Sequence, residues 1–128
     1  MLSAFDPGAL MSRSYGLPRG PRVRLRLAGR GDAAALAALL VRCGISPEQL
    51  ALSRLVRFDP RRRVVLCALA LIDSRETLVG LGAIDLDGTH GTQPDVLVVD
   101  ERIAGGLEDL LVAALAGRAG ALARTRAA

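Results

Sequence analysis

The chain has 128 residues, 17 arginines, no lysine and a formal net charge of +4. Apolar residues make up 51% of it, and Phe5, Tyr15 and Phe58 are the only aromatics. These figures exclude global disorder, leave room for one ordinary domain and require its core to be aliphatic. Charge is placed unevenly: residues 1–63 hold 12 arginines and 4 acids, residues 64–128 hold 5 arginines and 9 acids. A basic half fits an anionic partner, and a GC-rich coding sequence that replaces Lys by Arg and enriches Ala gives the same pattern. Cys43 and Cys67 sit in apolar settings without a CxxC spacing, which points to a reducing compartment. No apolar run reaches the ~18 residues of a membrane span. The start, Met1-Leu2-Ser3-Ala4-Phe5-Asp6, lacks the basic and apolar regions of a secretory signal. The expected location is therefore cytoplasmic, away from the membrane.

Residues 1–21, rich in Ser, Gly, Pro and Arg and interrupted by Pro7, Pro18 and Pro21, read as a flexible tail. Val23-Arg24-Leu25-Arg26-Leu27 alternates strictly, which predicts a half-buried strand with arginines on its wet face. Asp32 is placed to cap a helix whose apolar side carries Leu36, Leu39, Leu40 and Cys43, with Gly44 closing it. Ser46-Pro47-Glu48 starts a second helix, with Leu50, Leu55 and Val56 on its apolar side, fading near Arg57. Phe58-Asp59-Pro60 turns the chain into the unbroken apolar run Val64–Ile72, a central strand covered on both faces. Asp73–Glu76 is a turn, and Thr77–Ile84 returns as the second arm of a hairpin. Gly80 and Gly82 lie on one face of that arm, where a neighbouring backbone or helix can come close. After a polar loop from Asp87 to Pro94, Val96–Val99 is a short buried strand. Gly105-Gly106 then opens a last helix with Leu107, Leu110, Leu111, Ala114, Leu115 and Leu122 inward. The order is strand, helix, helix, strand, strand, strand, helix. This predicts an α/β chain of the α+β kind, with a mixed, mainly antiparallel sheet of about four strands and helices packed on it.

The stretch from Val99 to Leu111 carries the most chemistry. A strand ends at Asp100, and a short loop with Arg102, Gly105 and Gly106 feeds straight into a helix. Glycines let backbone N–H groups approach a ligand, and the first helical turn offers unpaired N–H groups and a partial positive charge. That combination suits a phosphate or diphosphate; the same glycines also simply permit a tight strand-to-helix turn. Other residues point elsewhere. Asp85-Leu86-Asp87-Gly88 lacks the third ligand and closing Glu of a calcium loop. His90 has no Cys or His at metal spacing and no Ser or Cys beside it, so no metal is expected. Arg54, Arg57 and Arg61-Arg62-Arg63 form a basic cluster, but no helix-turn-helix, zinc motif or aromatic stacking surface accompanies it, which argues against nucleic acid.

In this order the elements resemble the GNAT superfamily, the acyl-coenzyme-A-dependent N-acyltransferases. The family's loop reads Gln or Arg, two residues, Gly, one residue, then Gly or Ala. Arg102-Ile103-Ala104-Gly105-Gly106-Leu107 is similar, with Leu107 at the sixth place, and Leu110-Leu111 fall where the family has a double leucine. Val23–Leu27 followed by Gly31-Asp32, and the Val79-Gly80 step, resemble its opening strand and its third strand. The resemblance spans about residues 22–123, leaving 124–128 as a basic tail. It implies an acetyl-coenzyme A or other acyl-coenzyme A cofactor. Arg102, Ile103, Ala104, Gly105, Gly106 and Leu107 would lie at its diphosphate, with Val98 and Val99 offering backbone groups to the pantetheine arm. If active, the domain would acylate an amine, with Asp95, Asp100 and Glu101 as possible bases near the cleft and no identifiable acid. The family continues after this helix with a strand, a helix and two more strands, which the chain lacks. The expectation is an open edge at Val96–Val99 that is completed by a homodimer mate or another protein. A non-catalytic ligand-sensing or assembly module is the alternative reading.

Overall fold

Two long strands, β3 (Arg63–Ile72) and β4 (Arg75–Asp85), form the spine of the fold. The structure, a computed structural model, describes residues 14–18, 20–50, 55–86 and 94–127, without the side chains of residues 49, 50 and 120–127. β1 (Ser14–Tyr15) and β2 (Val23–Leu27) add to one side of the spine and β5 (Val96–Val99) to the other. The result is an open five-stranded sheet in the order β1-β2-β3-β4-β5, antiparallel throughout. Helix α1 (Ala33–Arg42) covers one face and α2 (Leu107–Ala127) the other, which makes the architecture mixed α+β.

The unbroken apolar run of β3 is explained by this two-sided cover. Val64, Leu66, Ala68 and Ala70 face the core that holds Leu107, Leu111 and Leu115 of α2. Val65, Cys67 and Leu69 alternate to the core that holds Leu36, Leu39 and Leu40 of α1. Asp73 (φ 50°) and Ser74 (φ 66°) join β3 to β4 in a two-residue turn with Ile72 paired to Arg75. Positive φ at both positions is the signature of the type I′ turn, whose twist matches the flanking strands. The turn is thus two residues shorter than Asp73–Glu76, because Arg75 and Glu76 already belong to the ladder.

The register shifts once. Ala68 pairs with Gly80 but Leu69 pairs with Leu78, leaving Val79 as an extra residue in β4. A bulge of this kind places two successive residues on one face. Val79 lies in the α2-side core while Leu78 and Leu81 lie in the α1-side core. Gly80 and Gly82 open a notch towards α2: a Cβ at Gly80 would lie 2.5 Å from Leu107 Cδ2, and one at Gly82 2.8 Å from Leu115 Cδ1. The close approach expected at these two glycines is therefore that of α2.

On the opposite face, Asp32 holds α1 to the sheet in a way its sequence position does not reveal. Its backbone is helical and its side chain caps no N–H of α1. Instead it closes the 3-10 turn Arg30–Asp32 from behind, accepting the Gly29 N–H at Oδ2 (2.7 Å). It also receives both ends of the Arg26 guanidinium, at 2.7 and 2.8 Å. Arg26 is thus half-buried in a forked ion pair, whereas Arg24 stays on the wet face and meets Glu76. Gly44 (φ 76°) ends α1 as expected. The second helix expected from Ser46 is, among the described residues, a 3-10 turn Pro47–Leu50 and helical residues at 55–56, with Leu55 buried. Asp59 turns the chain into β3 by accepting the Arg61 N–H on its carboxylate and the Arg62 and Arg63 N–H groups on its carbonyl.

Two segments expected as tails contain regular structure. Ser14 and Tyr15 pair with Arg24 and Val23, and Tyr15 and Leu17 pack against the α2-side core. At the other end α2 continues to Ala127. Arg54 and His90 lie outside the described residues, as do Asp87-Gly88 of the calcium-like turn and the Leu50 and Leu122 side chains. None of the helices is long and apolar enough to cross a membrane, among the described residues.

Filling the notch should overpack it. Gly80→Val is expected to lower unfolding stability in urea by about 2 kcal/mol, and an unchanged midpoint would show that α2 does not seat there. The Asp32 carboxylate is held below its ordinary pKa, chiefly by the Arg26 hydrogen bonds and also by Gly29 N–H. Its contribution is therefore complete above the unfolded carboxylate range and is lost as pH falls through the folded value. Asp32→Asn should be less stable than the parent at pH 7, with the gap shrinking below about pH 4; a pH-independent gap would contradict this.

Candidate functional site

The loop after β5 is shaped by Asp100. Its N–H donates to Val79 O (2.9 Å), carrying the β4–β5 ladder one residue past the strand. Its carbonyl then accepts the N–H groups of Ile103 (3.1 Å) and Ala104 (2.9 Å), which curls the chain tightly before α2. Its carboxylate, 5% exposed, accepts Nε of Arg42 at 3.2 Å. Arg42 also donates through Nη2 to Leu78 O at 2.6 Å. The C-terminal end of α1 is thereby tied both to the bulged end of β4 and to the start of the loop. Burying a carboxylate without such a partner would be strongly unfavourable.

The eight residues expected to hold a cofactor occupy distinct positions. Val98 is buried against the α1-side core, and Val99 packs on the α2 side. Ile103 is half-buried against the same core, and Ala104 and Leu107 are fully buried in it. Gly105 is buried and Gly106 half-buried, with a φ of 89° that only glycine adopts readily. Leu107 fills the Gly80 notch. Arg102 alone is exposed, and it makes no hydrogen bond or ion pair among the described residues. Most of the motif is thus built into the fold, and its chemistry reduces to one free guanidinium beside the α2 N-terminus.

The surrounding charge is mixed. Glu108 and Asp109 lie exposed in the first turn of α2, and Glu101 is exposed in the loop. Carboxylates there complement the helix dipole and weaken the attraction for an external anion. Of the expected bases, Asp95 is paired with Arg63 (2.9 Å) and Asp100 with Arg42. Asp95 stands five residues before Asp100, about 16 Å away along an extended strand, so these two do not share a site. Tyr15, the single phenol, belongs to β1 and packs against the α2-side core.

The open edge expected at Val96–Val99 is present among the described residues, where β5 ends the sheet, whereas the packing of Cys43 beside it was not expected. The Cys43 thiol donates to Val99 O at 3.7 Å. Burial pushes its pKa up, and the Asp100 charge adds to this against the nearby guanidinium groups of Arg42 and Arg102. It is therefore a packed thiol, not an activated nucleophile. Because Asp100 N–H bonds Val79 O, the alternation of an antiparallel ladder directs the polar groups of Val96 and Val98 to β4. Those of Leu97 and Val99 point to the free edge. No group of three or more His, Cys, Asp and Glu side chains among the described residues is arranged to hold a metal ion. No family model, curated protein or solved structure matches the chain.

The thiols give a direct check on this geometry. Cys67, buried and pushed up to about 12, should resist alkylation at pH 8 until the protein unfolds. Cys43 should label more slowly than a free thiol, and Arg42→Met should quicken it by loosening the α1–β5 junction. Labelling of Cys43 at the free-thiol rate in the parent protein would contradict the packed arrangement.

Proposed function

We propose that the chain is a GNAT-like domain that binds an acyl-coenzyme A at the free edge of β5 and acts as a binding module more than as a working acyltransferase. The observation that carries this reading is the outward backbone of Leu97 and the Val99 N–H, on the edge of the strand that runs into the loop bearing the exposed Arg102. An extended chain bearing amides, such as a pantetheine arm, can pair with a strand edge as an added strand does. Arg102 would then meet the diphosphate that follows it. Part of the expected order supports the reading, namely β2, α1, the β3–β4 hairpin, β5 and α2 on the opposite face; β1 precedes these, and only a 3-10 turn and helical residues 55–56 stand at the expected second helix among the described residues. Transfer to an amine would need a base and an acid. The engagement of Asp95 and Asp100 in ion pairs is the reason for preferring binding over catalysis.

A second reading uses the same edge for a strand of another protein. β5 is short and flanked by Asp95, Asp100 and Glu101, features that guard an edge against pairing with itself. In an antiparallel homodimer Asp95 of one copy would face the acids after β5 of the other, so a strand with basic flanks fits better than a second copy. Light scattering of the isolated chain should therefore give the monomer mass. A dimer at micromolar concentration would favour the homodimer.

Calorimetry with acetyl-coenzyme A tests the leading reading. Binding in the micromolar range is expected, with Arg102→Glu weakening it at least tenfold, about 1.4 kcal/mol or more. No heat at high micromolar ligand would remove acyl-coenzyme A from consideration.

A further inference from the structure

We infer that Pro18 and Gly20 form a strap seated on the loop that opens α2, and that this strap competes with a ligand for that loop. The chain leaves β1 at Tyr15, passes to α2 and returns to β2 at Val23. At the far point of this excursion Gly20, with a φ of 147°, lies directly on the loop backbone. A Cβ there would stand 2.8 Å from Ile103 O, 3.3 Å from Ala104 Cα and 3.7 Å from the Gly105 nitrogen. Pro18 covers the next residue: a Cβ on Gly106 would lie 2.7 Å from its Cδ and 3.0 Å from its Cγ. The small residues on both sides of this contact, Gly20 against Ala104 and Gly105, and Gly106 against Pro18, are what allow backbone to meet backbone. The two glycines through which a diphosphate would approach the helix are thus faced by the protein's own chain.

This inference rests on the acyl-coenzyme A reading above and names how that site is regulated. With the strap seated, Gly105 is buried and Gly106 half-buried beneath it, while Arg102 and Glu101 stay exposed. With the strap displaced, the loop backbone becomes available beside that guanidinium. The strap is anchored on the other side by Leu17 and Tyr15, which pack against the α2-side core, and by Arg22, whose Nη2 donates to Ser14 O at 3.0 Å. Displacement of Pro18 and Gly20 therefore leaves the β1–β2 pairing as a tether.

Two full-length variants test the competition by calorimetry with acetyl-coenzyme A, with folding checked by circular dichroism. Gly20→Val puts a branched side chain against Ile103 O at a φ that Val avoids, and should expel the strap; Pro18→Gly removes its seat on Gly106. Both should bind at least tenfold more tightly than the parent, with faster amide exchange at residues 104–106. Equal binding by parent and variants would overturn the strap's role while leaving the site intact. Weaker binding by folded variants would show that the strap is part of the site, which also overturns the competition. Absence of binding in all three proteins would defeat the acyl-coenzyme A reading itself, and the inference with it.

Discussion

A notch without side chains, on the α2-facing side of β4, is the constraint on which the rest of the structure depends. The bulge at Val79 turns Gly80 and Gly82 to that face, and Leu107, Leu111 and Leu115 descend into the gap they leave. Each buried leucine contributes about 1.5–3 kcal/mol relative to exposure, so the row fixes where α2 lies and in which phase. Since Leu107 is the first residue of α2, the connection from β5 has little freedom. It must bring the chain from one side of the sheet to the other within Asp100–Gly106. The bonds to Asp100 O, the positive φ of Gly106 and the burial of Ala104 and Gly105 all serve that sharp passage.

The same constraint separates what the loop does for the fold from what it offers a ligand. A glycine-containing loop before a helix has two explanations, an anion site and a tight turn, and here the turn accounts for Gly105, Gly106 and Leu107. What remains unspent is Arg102, the outward backbone of Leu97 and the Val99 N–H, since Val99 O already accepts the Cys43 thiol. That remainder is chemically specific: a strand edge that leads to a cation suits an extended, amide-bearing molecule with an anionic end. The acids Glu101, Glu108 and Asp109 work against any anion held by the helix terminus alone, which leaves the burden of attraction on Arg102. Asp100 stays outside this economy because Arg42 holds it on the inner side of the loop.

Elements whose causes are local were legible in the chain. Alternation at 23–27 and the apolar runs at 64–72 and 96–99 place three strands within a residue of their observed limits. Two glycines at i and i+2 in an apolar strand mark the side from which a helix approaches. Contacts between distant segments were not legible. Asp32 looks like a helix cap because it precedes Ala33, yet its carboxylate belongs to Arg26 on β2. Ser14–Tyr15 becomes a strand only because β2 lies beside it, and no two-residue segment signals that on its own. The Pro18–Gly20 contact with the α2 loop spans more than eighty positions, and proline and glycine in sequence read simply as breakers. At the candidate site the residue types were legible, whereas their accessibility depends on the notch and the strap.

The notch is tested most directly by a double-mutant cycle between Gly80→Ala and Leu107→Ala, read by urea unfolding. Leu107→Ala alone should lose about 2–5 kcal/mol through the cavity it leaves, and Gly80→Ala should lose stability by crowding Leu107. In the double variant the new methyl at position 80 meets vacated space, so the combined loss should be smaller than the two losses added, by 0.5 kcal/mol or more. Strict additivity, or a Leu107→Ala loss below about 0.5 kcal/mol, would contradict the seating of α2 in the β4 notch.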